Sequence, residues 1–196
     1  MCYNYDLKEG ICILRVISGS ARGRKLKVPA GLAVRPTADR VKEALFNILR
    51  DQVPGCRFLD LFAGSGSIGI EALSRGAGAA VFVETNHRHA AMIKENLKAT
   101  GLEQCARLIP AKVAEALRLL AEEGQAFNLI FLDPPYLKNL EAVTMADIDR
   151  YQLLKPEGLI IVESSKRDCL PESVDSLKLL RTEKYGDTLL SFYGRK

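Results

Sequence analysis

The chain has 196 residues, 47% of them apolar and 27% charged, with a formal net charge of +4. That length suits one domain with at most a small appendage, and it can bury a core without disulfide or metal staples. The apolar fraction excludes intrinsic disorder, no run nears the roughly 20 apolar residues of a membrane span, and no secretory signal opens the chain, so a soluble cytoplasmic protein without membrane contact is expected.

Residues 1–14 show no clear function. Residues 12–17 and 25–28 read as strands joined by the turn-forming Ser18-Gly19 and Arg22-Gly23-Arg24, which makes a small basic hairpin. Pro29, Gly31 and Pro36 break the chain, and Thr37 can cap a helix running to about residue 51, with Val41, Leu45, Ile48 and Leu49 on one face. Between positions 15 and 42 stand eight basic residues (Arg15, Arg22, Arg24, Lys25, Lys27, Arg35, Arg40 and Lys42) and one acid, Asp39. The rest of the chain is net acidic. That asymmetry points to a polyanion-binding arm on a near-neutral body; the alternative is a solvated basic face. Pro54-Gly55 closes this segment, so the expected division is 1–55, an N-terminal extension with basic hairpin and helix, and 56–196, a core.

From residue 56 strands and helices alternate. Strands are expected at 57–61, 80–84, 107–109, 127–132 and 158–163, and helices at 68–75, 87–100 (behind an Asn86 cap), 113–123 and 141–151. Continuous apolar strands between helices imply a parallel sheet covered on both faces. The end breaks the rhythm: strands at 177–184 and 188–193 flank Tyr185-Gly186-Asp187, a tight hairpin. Five scattered cysteines without a CxxC pair, and only two histidines, His87 and His89, offer no metal constellation. The histidines sit at a helix start and read as exposed or capping groups.

Two motifs carry chemistry. Gly64, Gly66 and Gly69 satisfy G-x-G-x-x-G between a strand and a helix, and Glu84 ends the next strand. This pattern fits an adenosine-containing cofactor whose ribose hydroxyls meet the acid. Asp60, four residues before Gly64, would repel a pyrophosphate yet suits the cationic sulfonium and ammonium of S-adenosylmethionine. The second motif is Asp133-Pro134-Pro135-Tyr136 after the apolar strand 127–132. Its carboxylate and carbonyls are acceptors, suited to the exocyclic amine of a planar base on which Tyr136 stacks. An NAD-dependent oxidoreductase would share the glycine loop but leaves this second motif, the basic arm and the terminal hairpin unexplained. A non-enzymatic RNA-binding module leaves both motifs idle, and a DNA amino-methyltransferase would need a target-recognition domain for which there is no room.

These residues resemble class I S-adenosylmethionine-dependent amino-methyltransferases, which share an (Asn/Asp/Ser)-Pro-Pro-aromatic motif. Arg15 to Gly19, Arg22 to Leu26, Arg35-Pro36-Thr37, Asp39 to Asn47, Asp60 to Gly66, Glu71 to Gly76 and Tyr185 to Thr188 are similar to the bacterial 16S ribosomal RNA guanine-N2 methyltransferase D family. The resemblance implies an α/β, Rossmann-like, seven-stranded, mostly parallel sheet with a C-terminal antiparallel hairpin. It implies methylation of guanine N2 in 16S rRNA, free or in the assembling small subunit, although the motif alone also admits adenine N6 or cytosine N4. By position, Asp60, Phe62, Ala63, Gly64, Ser65 and Gly66 would line the methionine side of the cofactor, and Glu84 its ribose. Asp133, Pro134, Pro135 and Tyr136 would hold the guanine. Arg22, Arg24, Lys25, Lys27, Arg35, Arg40 and Lys42 would meet RNA. Two departures stand out: Asn86 replaces a second acid after Glu84, and Lys112 stands where Asp or Asn often meets the adenine amine.

Overall fold

The computed structural model describes residues 14–28, 36–134 (36–38 as backbone only) and 140–195. Two strands, β1 (Leu14–Arg15) and β2 (Lys25–Leu26), pair antiparallel, and the helix α1 (Pro36–Ile48) follows. The basic hairpin therefore exists, with shorter strands than expected. Thr37 as a helix cap, Arg35, Pro135 and Tyr136 lie outside the described side chains.

The main sheet takes β3 (Arg57–Leu61), β4 (Ala79–Val83), β5 (Ala106–Ile109), β6 (Phe127–Leu132), β7 (Leu154–Ser165), β8 (Ser173–Val174), β9 (Leu177–Tyr185) and β10 (Thr188–Arg195) in the order β5-β4-β3-β6-β7-β10-β9-β8. Helices α2 (Ser67–Ser74), α3 (His87–Thr100), α4 (Val113–Glu122) and α5 (Leu140–Arg150) join the strands from β3 to β7, which pair parallel. β10 inserts antiparallel between β7 and β9, and the turn Gly186-Asp187 closes the hairpin with Gly186 at φ 63. The expected α/β architecture is thus observed, and the two-residue edge strand β8 raises the count from seven strands to eight.

Apolar strands sit between two packed layers, as a parallel sheet requires. On one face Phe58, Phe82, Ile70 and Ile93 join Leu14, Val16, Leu26, Leu45 and Phe46, so the hairpin and α1 share one core with the sheet. On the other face Leu59, Leu61, Ile130 and Ile160 pack on Leu117, Leu120 and Ile148 of α4 and α5. The chain reverses its strand order between β3 and β6, and the crevice outside that point is where open α/β sheets take ligands. Among the described residues no helix is long and apolar enough to cross a membrane.

Candidate functional site

The turn after β3 starts with Phe62 at φ 62, and Gly64 and Gly66 continue at φ 55 and φ 76. This left-handed backbone favours glycine. A side chain added at Gly69 would run into the Phe82 ring at 2.3 Å, so that glycine lets α2 lie close on the sheet. Gly64 differs: the nearest atom to an added Cβ is the Phe62 carbonyl at 3.9 Å, which leaves open space in front of the loop.

Two carboxylates brace the turn. Glu84, buried at the end of β4, accepts the Gly64 N–H at 2.8 Å with one oxygen and the Asn86 N–H at 2.7 Å with the other. Asp60 is 2% exposed and accepts the Gly69 N–H at 2.9 Å. Burial raises its carboxyl to about 8; the Gly69 hydrogen bond opposes that rise, and the Asp133 and Glu84 charges add to it. Asp60 therefore stands behind the loop and braces it through Gly69. Asn86 caps α3 by accepting from the Arg88 and His89 N–H groups, and the His89 Nδ1 lies 3.8 Å from Glu84.

Across the reversal point Asp133 follows Leu132 at the end of β6. Solvent reaches it, while Pro134 beside it is buried. Surrounding protein raises the Asp133 carboxyl above its ordinary value, and the remaining solvent contact favours the ionised form. Its neighbour was not legible as a site residue. Leu132 pairs with Val162, so the parallel register puts Glu163 of β7 beside Asp133. Burial, and after it the Asp133 charge, raises Glu163 as well. Glu163 carries the same signal as Asp60, Glu84 and Asp133, an acid at or near the carboxyl end of an apolar strand. The strands β3, β4, β6 and β7 thus aim four acids at one edge.

The donor set decides which adenosine cofactor fits. A pyrophosphate needs free loop N–H groups and positive charge. Here Glu84 takes the Gly64 N–H and acids surround the loop. An ammonium or sulfonium fits such a cradle, and the open space at Gly64 admits a close approach. Lys112 precedes α4, and its side chain makes no cap to the helix. Among the described residues no cluster of three or more His, Cys, Asp or Glu is placed to hold a metal ion.

The basic residues separate into two kinds. Arg22, Arg24, Lys25, Lys27 and Arg40 are exposed. Lys42 is 3% exposed; its Nζ donates to the Arg15 carbonyl at 2.8 Å and lies 3.8 Å from Glu71. Burial lowers the Lys42 ammonium, against the opposing pull of Glu71 and Asp39. Lys42 is therefore withdrawn from the basic surface: it docks the hairpin on the core.

The family model described as Conserved hypothetical protein 95 matches residues 14–194. A Bacillus subtilis protein named "Putative rRNA methyltransferase YlbH" is 42% identical over 93% of this chain and 100% of its own. The Escherichia coli (strain K12) "Ribosomal RNA small subunit methyltransferase D" is 37% identical over 93% of this chain and 90% of its own. Among solved structures, the Thermus thermophilus 16S rRNA N2 G1207 methyltransferase, described in complex with AdoMet and guanosine, shares the fold with a TM-score of 0.72 at 21% identity, over 94% of this chain and 50% of that one.

Proposed function

The chain belongs to the Conserved hypothetical protein 95 family, and on that premise, with its likeness to a small-subunit rRNA methyltransferase D, we propose that it methylates the exocyclic N2 of a guanine in 16S rRNA with S-adenosylmethionine. The observation that carries this reading is the pairing, across one crevice, of an acid-braced glycine loop with the Asp133-Pro134 acceptors.

When bound, S-adenosylmethionine supplies an electrophilic methyl group. Glu84 and the 62–66 loop would hold it, Glu84 by its remaining lone pairs toward the ribose hydroxyls and the loop by close backbone approach at Gly64. Asp60 keeps the loop in shape through Gly69. The guanine amine is a poor nucleophile because its lone pair is delocalised into the ring. Asp133 and the Pro134 carbonyl accept its two N–H groups and favour a pyramidal nitrogen with its lone pair aimed at the cofactor side. Transfer would leave the electron pair of the broken carbon–sulfur bond on the cofactor's sulfur; the newly methylated nitrogen would shed a proton, and the raised Asp133 has the basicity to receive it. Pro135 and Tyr136 complete the guanine site in this reading, Tyr136 by stacking. Arg22, Arg24, Lys25, Lys27, Arg35 and Arg40 would engage RNA phosphates.

The test is mass spectrometry of nucleosides from 16S rRNA of a strain lacking the gene. One N2-methylguanosine should disappear, return with the wild-type gene and stay absent with Asp133→Ala. Unchanged 16S rRNA would overturn the reading.

A further inference from the structure

Asn96 lies in the middle of α3, far along the chain from both motifs, and is 1% exposed. Its carboxamide ties two other segments together. Oδ1 accepts the Lys27 N–H at 2.8 Å, and Nδ2 donates to the Lys27 carbonyl at 2.9 Å and to the Ser65 carbonyl at 2.9 Å. Lys27 ends the basic hairpin, and Ser65 stands between the two left-handed glycines of the loop. Both amide donor hydrogens are used, so the side chain cannot follow one partner without leaving a backbone polar group of the other unbonded.

The other end of the hairpin is held differently. Glu71 of α2 accepts the Ile17 N–H at 2.7 Å and the Ser18 N–H at 3.0 Å, and the Ser74 hydroxyl donates to the Ser18 carbonyl at 2.6 Å. These bonds reach the body of a helix, whereas the Asn96 amide reaches the loop itself. At the Asn96 end the Lys27 ammonium is exposed and pairs with Glu95 at 2.6 Å, an ion pair a phosphate can replace at small cost.

We propose that Asn96 couples the basic arm to the glycine loop, so that RNA held on the arm tightens binding of the cofactor. The inference rests on the function proposed above. RNA that immobilises Lys27 also fixes Ser65 through the amide, and the cofactor then meets a loop already ordered. By linkage the cofactor tightens RNA by the same factor.

Calorimetry of S-adenosylmethionine binding, with and without a saturating 16S rRNA transcript, tests this on the full chain. In the wild type RNA should tighten the cofactor by about tenfold. In Asn96→Ala the factor should fall to about twofold or less, with both ligands still binding. Asn96→Asp keeps an acceptor for the Lys27 N–H but sets oxygen against the two carbonyls, and should lose the coupling too. RNA that binds the wild type without changing cofactor affinity overturns the proposal, as does a coupling factor unchanged in both variants. Should the variants fail to fold, hydrogen exchange of the wild type decides: the cofactor must slow exchange at the Lys27 N–H, and RNA must slow it at Gly64 and Gly66. Unchanged protection at Lys27 on adding cofactor overturns the coupling. A wild type that binds neither ligand overturns the functional reading, and the coupling falls with it.

Discussion

The basic arm and the strand-end crevice both depend on charge, but they hold it in opposite ways. In the arm Arg22, Arg24, Lys25 and Lys27 stand in solvent, and the Lys27–Glu95 pair is exposed on both sides. Under the arm and in the crevice, Lys42, Glu71 and Glu84 are buried and matched to backbone groups or to one another. Exposed charges act by number and are nearly interchangeable, because water and salt screen each of them. Buried charges act by position, because each has traded hydration for named partners. The same residue type therefore tolerates loss in one region and not in the other.

The largest effect should come from the buried anchor. Glu71→Ala strips the acceptor from the Ile17 and Ser18 N–H groups and from Arg75, and leaves the buried Lys42 ammonium with the Arg15 carbonyl and, at 4.0 Å, Asp39. Unfolding in urea should show a loss of about 3–5 kcal/mol, part of which Lys42→Met should restore in the double variant. A loss below about 1 kcal/mol would put Glu71 in the class of surface pairs and erase the contrast.

Within the crevice the two motifs should separate. Asp133→Ala should lower turnover by about two to three orders of magnitude while cofactor affinity stays within about twofold, since the proposed function sets Asp133 against the amine and not the cofactor. Gly64→Val should instead abolish cofactor binding in a folded protein, because the branched side chain would stand in the open space before the loop in a backbone conformation that disfavours it. Calorimetry with S-adenosylmethionine on both variants checks the division. Equal loss of binding in the two would merge the motifs into one site.

The Asp60 carboxyl offers a pH signature. Its ordinary value is 3.8 and burial raises it to about 8. Between those values the folded protein keeps a proton that the unfolded chain has released. The stability this group contributes is therefore full below 3.8 and falls as pH rises toward 8. The slope is at most about 1.4 kcal/mol per pH unit. Asp60→Asn keeps an oxygen for the Gly69 N–H and should flatten that fall, as read from urea midpoints between about pH 5 and pH 8. Parallel curves for the two proteins would mean that Asp60 is ionised throughout. The smallest effect on stability belongs to the arm: replacing Arg22, Arg24, Lys25 and Lys27 together by Ala should move it by only about 0.5 kcal/mol per site. RNA affinity should nevertheless fall, and its salt dependence should flatten by nearly one log–log unit for each phosphate that the arm no longer neutralises. Unchanged RNA affinity across salt would reduce the arm to a solvated face.

By itself the sequence determined what depends on near neighbours. Strand–helix alternation, the glycine turn after β3, the Asn86 cap and the Gly186-Asp187 hairpin were all legible, because periodicity and turn chemistry act over a few residues. The strand-end acids Asp60, Glu84 and Asp133 were legible beside their motifs, whereas Glu163 had none and came to stand beside Asp133 only through the β6–β7 register. Lys42 looked like the other basic residues of the arm until the fold set it under Arg15, 27 positions away. Glu71 reached Ile17 across 54 positions and Asn96 reached Lys27 across 69. Whether a charge or an amide is buried depends on which distant segment packs over it, and only tertiary structure decides that.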